Sequence, residues 1–190
     1  MEKGADRRRK SIRLKGFDYS QGNFYFVTIC VRHKQHLLGT IANQTMVLNR
    51  LGDLVVAALE DTERHFQSVT VDTYALMPNH IHLIFAHSDN AGNCRGSVCE
   101  SSSRPPTSDS RGSVCESASI QTAPTLGQVV AYFKFMSTKF TGQFLKDPQF
   151  RLWQRNFYEH IIRNEQDLLE TRRYIADNPL RWELDQHHGC

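Results

Sequence analysis

The sequence predicts an α+β domain in which helices pack on an antiparallel sheet. Three observations carry that expectation. The 190 residues, 39% hydrophobic and 23% charged, suit one soluble globular domain and are too few for two large ones. Segments of strand character and segments of helical periodicity follow one another as strand, helix, strand, strand, helix, strand, helix. A turn signal, Pro78-Asn79, joins the two adjacent strands directly, as an antiparallel hairpin requires.

Taken in order, Phe24 to Val31 is rich in aromatic and β-branched residues and reads as a buried strand. After a hairpin expected around Asn43, Leu51, Leu54, Val55, Ala58, Leu59 and Phe66 recur at helical spacing. Val69 to Leu76 and His80 to Ala86 are the hairpin strands. Leu126, Val129, Val130, Phe133, Met136, Phe140 and Phe144 mark a long amphipathic helix, and Phe157 to Ile162 a short strand. Asn164 is an N-cap, with Glu165 and Asp167 favouring the dipole of a last helix that runs towards Asn178 and is stopped by Pro179. The first six elements are the split βαβ of ferredoxin-like folds, with the last helix appended.

Residues 88–124 differ from their surroundings. Ten of these 37 residues are Ser, and Leu, Met, Phe, Tyr and Trp do not occur among them. Too little apolar surface is present to offset the entropy of ordering, so the segment is expected to be a disordered insertion. A unit beginning Arg95-Gly-Ser-Val-Cys recurs at Arg111, but two polar copies cannot build a solenoid. The domain expectation is therefore a basic segment over 1–16 and a folded domain over 17–190 interrupted at 88–124.

Net charge is only +3, yet the first sixteen residues reach a local +5 through Lys3, Arg7, Arg8, Arg9, Lys10, Arg13 and Lys15 against Glu2 and Asp6. Such a cluster suits a polyanion, because each cation laid on phosphate releases counterions; a solvated tail has the same composition. The longest nearly apolar stretch, Phe24 to Val31, is far short of the roughly 20 residues that span a bilayer. With no apolar core for a secretory signal near the start, a cytoplasmic protein without membrane contact is expected. The five cysteines show no CxxC spacing and are expected as thiols.

Two features could carry chemistry. His80-Ile81-His82 lies on a predicted strand, where residues i and i+2 share a face and two imidazoles can ligate one metal ion. Nine histidines give roughly 0.4 such pairs by chance, so half-buried strand histidines are an equally good reading. Tyr174 and Asn178 stand four residues apart on one helical face, rotated from the stripe of Leu168, Leu169 and Ile175. A tyrosine hydroxyl there can act as a nucleophile beside a metal or base, or simply pack on its neighbours. Gln128, Tyr132, Lys139 and Gln143 on the long helix, and Arg155 amid the aromatics of Trp153 to His160, could stack bases and meet phosphates, or be solvated. P-loop, GxGxxG, GxSxG and HExxH motifs are absent.

Together these segments resemble the single-tyrosine transposases of the HUH superfamily, named for a His-hydrophobic-His motif, and most closely the REP-associated tyrosine transposases. The likeness rests on Met77-Pro-Asn-His-Ile-His82, on Leu152 to Glu165 and on Tyr174-Ile-Ala-Asp-Asn-Pro179, with Arg13 to Tyr19 and Tyr25 to Cys30 in support. It spans nearly the whole chain outside 88–124. The resemblance implies a metal-dependent enzyme that cuts and rejoins single-stranded DNA beside a hairpin. By it, His80, His82 and Asn178 hold a divalent ion, Mg²⁺ or Mn²⁺, and Tyr174 attacks the scissile phosphate to leave a 5′-phosphotyrosine. Arg7, Arg8, Arg9, Lys10, Lys139 and Arg155 are the expected DNA contacts. Monomer and homodimer both stay open. The alternative is a non-catalytic module that binds single-stranded nucleic acid.

Overall fold

Strand β1 (Phe24–Cys30) occupies the interior of the sheet because alternate side chains on both its faces are buried, and this places it between two layers of helix. The computed structural model describes residues 22–88 and 123–184. The basic segment 1–16, residues 13–19 of the resemblance, nearly all of the Ser-rich segment and residues 185–190 lie outside the described residues.

Beyond β1 come a hairpin of β2 (Gly39–Ala42) and β3 (Thr45–Leu48), helix α1 (Arg50–His65), β4 (Val69–Met77), β5 (His80–His87), α2 (Leu126–Leu145), β6 (Tyr158–Ile162), α3 (Glu165–Ala176) and α4 (Asn178–Leu184). The main sheet has the order β4-β5-β1-β6, antiparallel throughout. This is the ferredoxin-like arrangement expected from the element order. The β2–β3 turn works because Asn43 and Gln44 both adopt positive φ, the geometry of a type I′ turn that follows the twist of its strands.

Helix α1 starts where the Asn49 side chain accepts hydrogen bonds from the Leu51 and Gly52 N–H groups. Gly52 is required there, since a Cβ would lie 2.3 Å from the Leu38 carbonyl oxygen. Helix α2 opens on a Thr125/Gln128 capping box and ends at Lys146 in the left-handed region. Both helices cover one face of the sheet, burying Tyr25, Val27, Ile29, Ile81, Leu83 and Phe85 with Val55, Leu59, Val129 and Phe133. Helix α3 covers the other face with less apolar contact, chiefly Leu168 and Ile175 on Phe26, Ile84 and Ile162.

Three details correct the sequence expectation. Pro179 does not end the helical region: α3 stops at Ala176, and Pro179 stands in the first turn of α4, where its missing N–H costs nothing. Leu169, expected in the buried stripe, is exposed, so Leu168 and Ile175 carry that contact. Phe144, at the far end of the α2 stripe, is 52% exposed.

Candidate active site

The site forms on the α3 face because β5 alternates. Ile81, Leu83 and Phe85 point to α1 and α2, so His80 and His82 point the other way, yet each is buried. The register sets His82 opposite Thr28 and His80 opposite Cys30. The Thr28 hydroxyl hydrogen-bonds His82 Nδ1 at 2.7 Å. His80 Nδ1 donates to Asn79 Oδ1 at 2.6 Å, which leaves His80 Nε2 an acceptor for the His82 Nε2–H. The two Nε2 atoms then face each other at 3.0 Å. Burial, and after it the proximity of His80, lowers the His82 pKa from 6.5 to about 3, so the ring is uncharged at neutral pH.

These features fit a divalent ion. Two nitrogens 3.0 Å apart subtend about 90° at an ion about 2.1 Å from each, the ordinary imidazole–metal distance. The Nδ1 partners fix the ring planes, as an outer shell must. Among the described residues no cluster of three His, Cys, Asp or Glu exists. The buried Asn79 Nδ2 has no hydrogen-bond partner among the described residues and remains available to a water or substrate oxygen.

Helix α3 brings Tyr174 to this pair. Asn164 caps the helix by accepting from the Asp167 N–H, and Leu168 and Ile175 seat it on the sheet. The Tyr174 ring lies 5.3 Å from the His82 ring and 6.0 Å from that of Phe26, which itself stacks on His82. Tyr174 keeps 37% of its surface in solvent, and the Arg181 guanidinium stands 5.5 Å over its ring. The break at Asp177 redirects the chain so that Trp182 of α4 reaches His80, at 5.8 Å, and His36, at 5.4 Å. Asn178 lies in sequence between these two anchors. It is buried, and its Nδ2 donates to the Tyr174 carbonyl.

The other named residues lie elsewhere. Tyr132, on α2, is across the sheet from the histidines. Its hydroxyl donates to Asp61 at 2.9 Å, its ring stacks on His65 at 4.0 Å, and burial followed by the Asp61 hydrogen bond raises its pKa. Lys139 lines a cleft of about 720 Å³ on α2 together with Lys146, Arg151 and the exposed Phe135. Arg155 is exposed in the loop before β6. Sequence reasoning missed Thr28, Phe26, Trp182 and Arg181; Thr28, a polar residue inside an apolar strand, was the one visible signal.

A protein of Haemophilus influenzae whose function is uncharacterised is 37% identical over 179 residues, covering 94% of this chain and 92% of its own. A second protein of that bacterium, provisionally named a REP-associated tyrosine transposase, is 26% identical over 168 residues, 86% of this chain and 74% of its own. The solved structure of a REP-associated tyrosine transposase bound to a REP hairpin shares the fold, with a TM-score of 0.57 at 17% identity over 90% of this chain and 74% of that one. No protein-family model matches the chain. Fold and relatives thus define a transposase-type α+β protein. In sequence and in fold the chain is similar to REP-associated tyrosine transposases.

Proposed function

We propose that the protein cleaves and rejoins single-stranded DNA in the cytoplasm, at sites beside a hairpin, with Tyr174 as nucleophile and a divalent ion held by His80, His82 and Asn178. The carrying observation is the meeting of Tyr174 with His82, ring centres 5.3 Å apart, beside two Nε2 atoms that face one point. A bound Mg²⁺ or Mn²⁺ would supply Lewis-acid polarisation of a phosphoryl oxygen. The chain's own residues do the rest. His80 and His82 are held by Asn79 and Thr28 so that their Nε2 nitrogens converge, and Asn178, whose nitrogen donates to the Tyr174 carbonyl, would offer its amide oxygen. Phe26 backs the Tyr174 ring while its solvent-facing side admits DNA.

The phenol gives up its proton to solvent and its oxygen bonds the scissile phosphorus. The bond from phosphorus to the 3′ oxygen breaks, and that oxygen takes a proton. A 5′-phosphotyrosine and a free 3′-hydroxyl result; attack of such a hydroxyl on the linkage reverses the step and joins strands. Arg7, Arg8, Arg9 and Lys10 supply phosphate contacts, with Lys139 and Arg155 adding charge on other surfaces of the domain. The REP hairpin bound to the solved relative supports a hairpin-flanked substrate.

The test is covalent-adduct formation on labelled hairpin DNA with single-stranded flanks and Mn²⁺. Tyr174→Phe is expected to abolish the adduct and retain ion-dependent DNA binding, while Tyr132→Phe keeps it. An adduct that survives Tyr174→Phe and vanishes in Tyr132→Phe overturns the assignment.

A further inference from the structure

Strand β4 carries an irregularity that the proposed chemistry leaves unused. Val71 pairs with Phe85 and Thr73 with Ile84, so Asp72 is one extra residue, a β-bulge. The ladder is interrupted there, and the Val71 N–H donates instead to the Glu63 carboxylate of α1 at 2.7 Å. Both Asp72 and Thr73 stand opposite Ile84, whose side chain belongs to the cluster beneath α3. On that side the Asp72 carboxylate, 16% exposed, is gripped at two points by Arg172 of α3: Nε donates to Oδ2 at 2.8 Å, and Nη2 donates to Oδ1.

We propose that this bulge is a positioning device, in which Glu63 shapes the strand and Asp72 holds Arg172 so that α3 keeps the rotation that sets Tyr174 over the histidines. The inference rests on Tyr174 being the nucleophile. Leu168 and Ile175 are the two buried residues of α3, and they form one ridge. A helix seated on a single ridge can roll about it. At 100° per residue, Arg172 lies about 60° to one side of Ile175 and Tyr174 about 100° to the other, so a roll that lifts one flank displaces the other. At roughly 6 Å from the axis, a roll of about 10° moves an atom by about 1 Å. A misplacement of about 1 Å can cost on the order of a hundredfold in rate. The two-point Arg–carboxylate pair fixes both separation and plane, and so opposes that roll.

The same adduct assay, run over a DNA titration up to saturation, tests this. Asp72→Ala and Arg172→Ala are each expected to slow adduct formation at least about tenfold, with the DNA concentration for half-maximal rate unchanged. Asp72→Glu, which retains a carboxylate, recovers most of that rate, and Glu63→Gln, whose amide oxygen still accepts the Val71 N–H, stays near normal. A readout independent of chemistry is fluorine NMR of fluorotyrosine at position 174, expected to shift or broaden in both alanine variants. Unchanged rate and unchanged resonance overturn the proposal. So does a rate loss that tracks only the unfolded fraction while the folded resonance stays put. If the unaltered chain makes no adduct but the resonance still moves on Asp72→Ala, the nucleophile assignment fails and the positioning stands.

Discussion

The two faces of one sheet differ in what they bury. Toward α1 and α2, strands β1 and β5 present Tyr25, Val27, Ile29, Ile81, Leu83 and Phe85, all fully buried. Toward α3 the same strands present Phe26 and Ile84, then Thr28, His80 and His82. Because strand side chains alternate, one dipeptide step separates a core residue from a candidate site residue. The larger apolar cluster lies on the α1/α2 face, and the buried imidazoles lie on the α3 face outside both apolar clusters.

The sharpest way to break that contrast is to truncate neighbours on opposite faces. Leu83→Ala should cost about 3 kcal/mol of stability in urea unfolding, since a buried Leu leaves both a transfer loss and a cavity. His82→Ala, one residue away, should cost less stability than Leu83→Ala in the absence of metal, yet abolish adduct formation; burial keeps its ring uncharged, and it forms no part of either apolar cluster. Equal stability losses would show that both faces bear the fold.

Acid should sharpen the contrast next. Burial lowers the pKa of His87, and burial with the neighbouring His80 lowers that of His82 to about 3. In the unfolded chain both take up a proton near pH 6.5, whereas the folded chain resists it. The unfolded state then binds more protons, so stability is fully present above about pH 6.5 and is lost as pH falls towards 3. Urea midpoints at pH 7.5 and pH 5, without metal, should differ in that direction. His87→Phe, which removes two ring nitrogens that have no hydrogen-bond partner among the described residues, should shrink the difference. A larger acid sensitivity in His87→Phe would contradict the burial account.

Two smaller effects separate charge from packing. Removing Arg7, Arg8, Arg9 and Lys10 should weaken DNA binding and flatten the slope of log affinity against log salt by up to about 0.9 per lost phosphate contact on duplex and about 0.7 on a single strand. Lys139→Gln alone should change that slope by no more than about one, whereas unchanged slopes in both would move the DNA path elsewhere. Trp153→Phe loses the indole hydrogen bond to Ser137 Oγ within the α1/α2 face, and should cost about 1–2 kcal/mol in stability with adduct formation intact.

Much of this molecule was legible locally. Apolar runs rich in aromatic and β-branched residues marked the main-sheet strands, and helical spacing of apolar residues marked α1 to α3, because burial selects those patterns in the sequence itself. The same logic placed His80 and His82 on one face, and Tyr174 off the α3 stripe. Pro179 misled because a proline that cannot continue one helix fits equally well in the first turn of the next.

What remained was decided by contacts between residues far apart in the chain. Thr28 reaches His82 across 54 residues, and Arg172 reaches Asp72 across 100. Neither pairing has a local signature, since register, bulge position and helix roll follow from how whole layers pack. Sequence alone thus determined which residues could serve a strand, a helix or an imidazole pair. Only the tertiary structure decided that the histidine nitrogens converge, that Tyr174 stands beside them, and that a bulge in β4 reaches the helix carrying it, because each requires two surfaces to be brought together by the burial of a third.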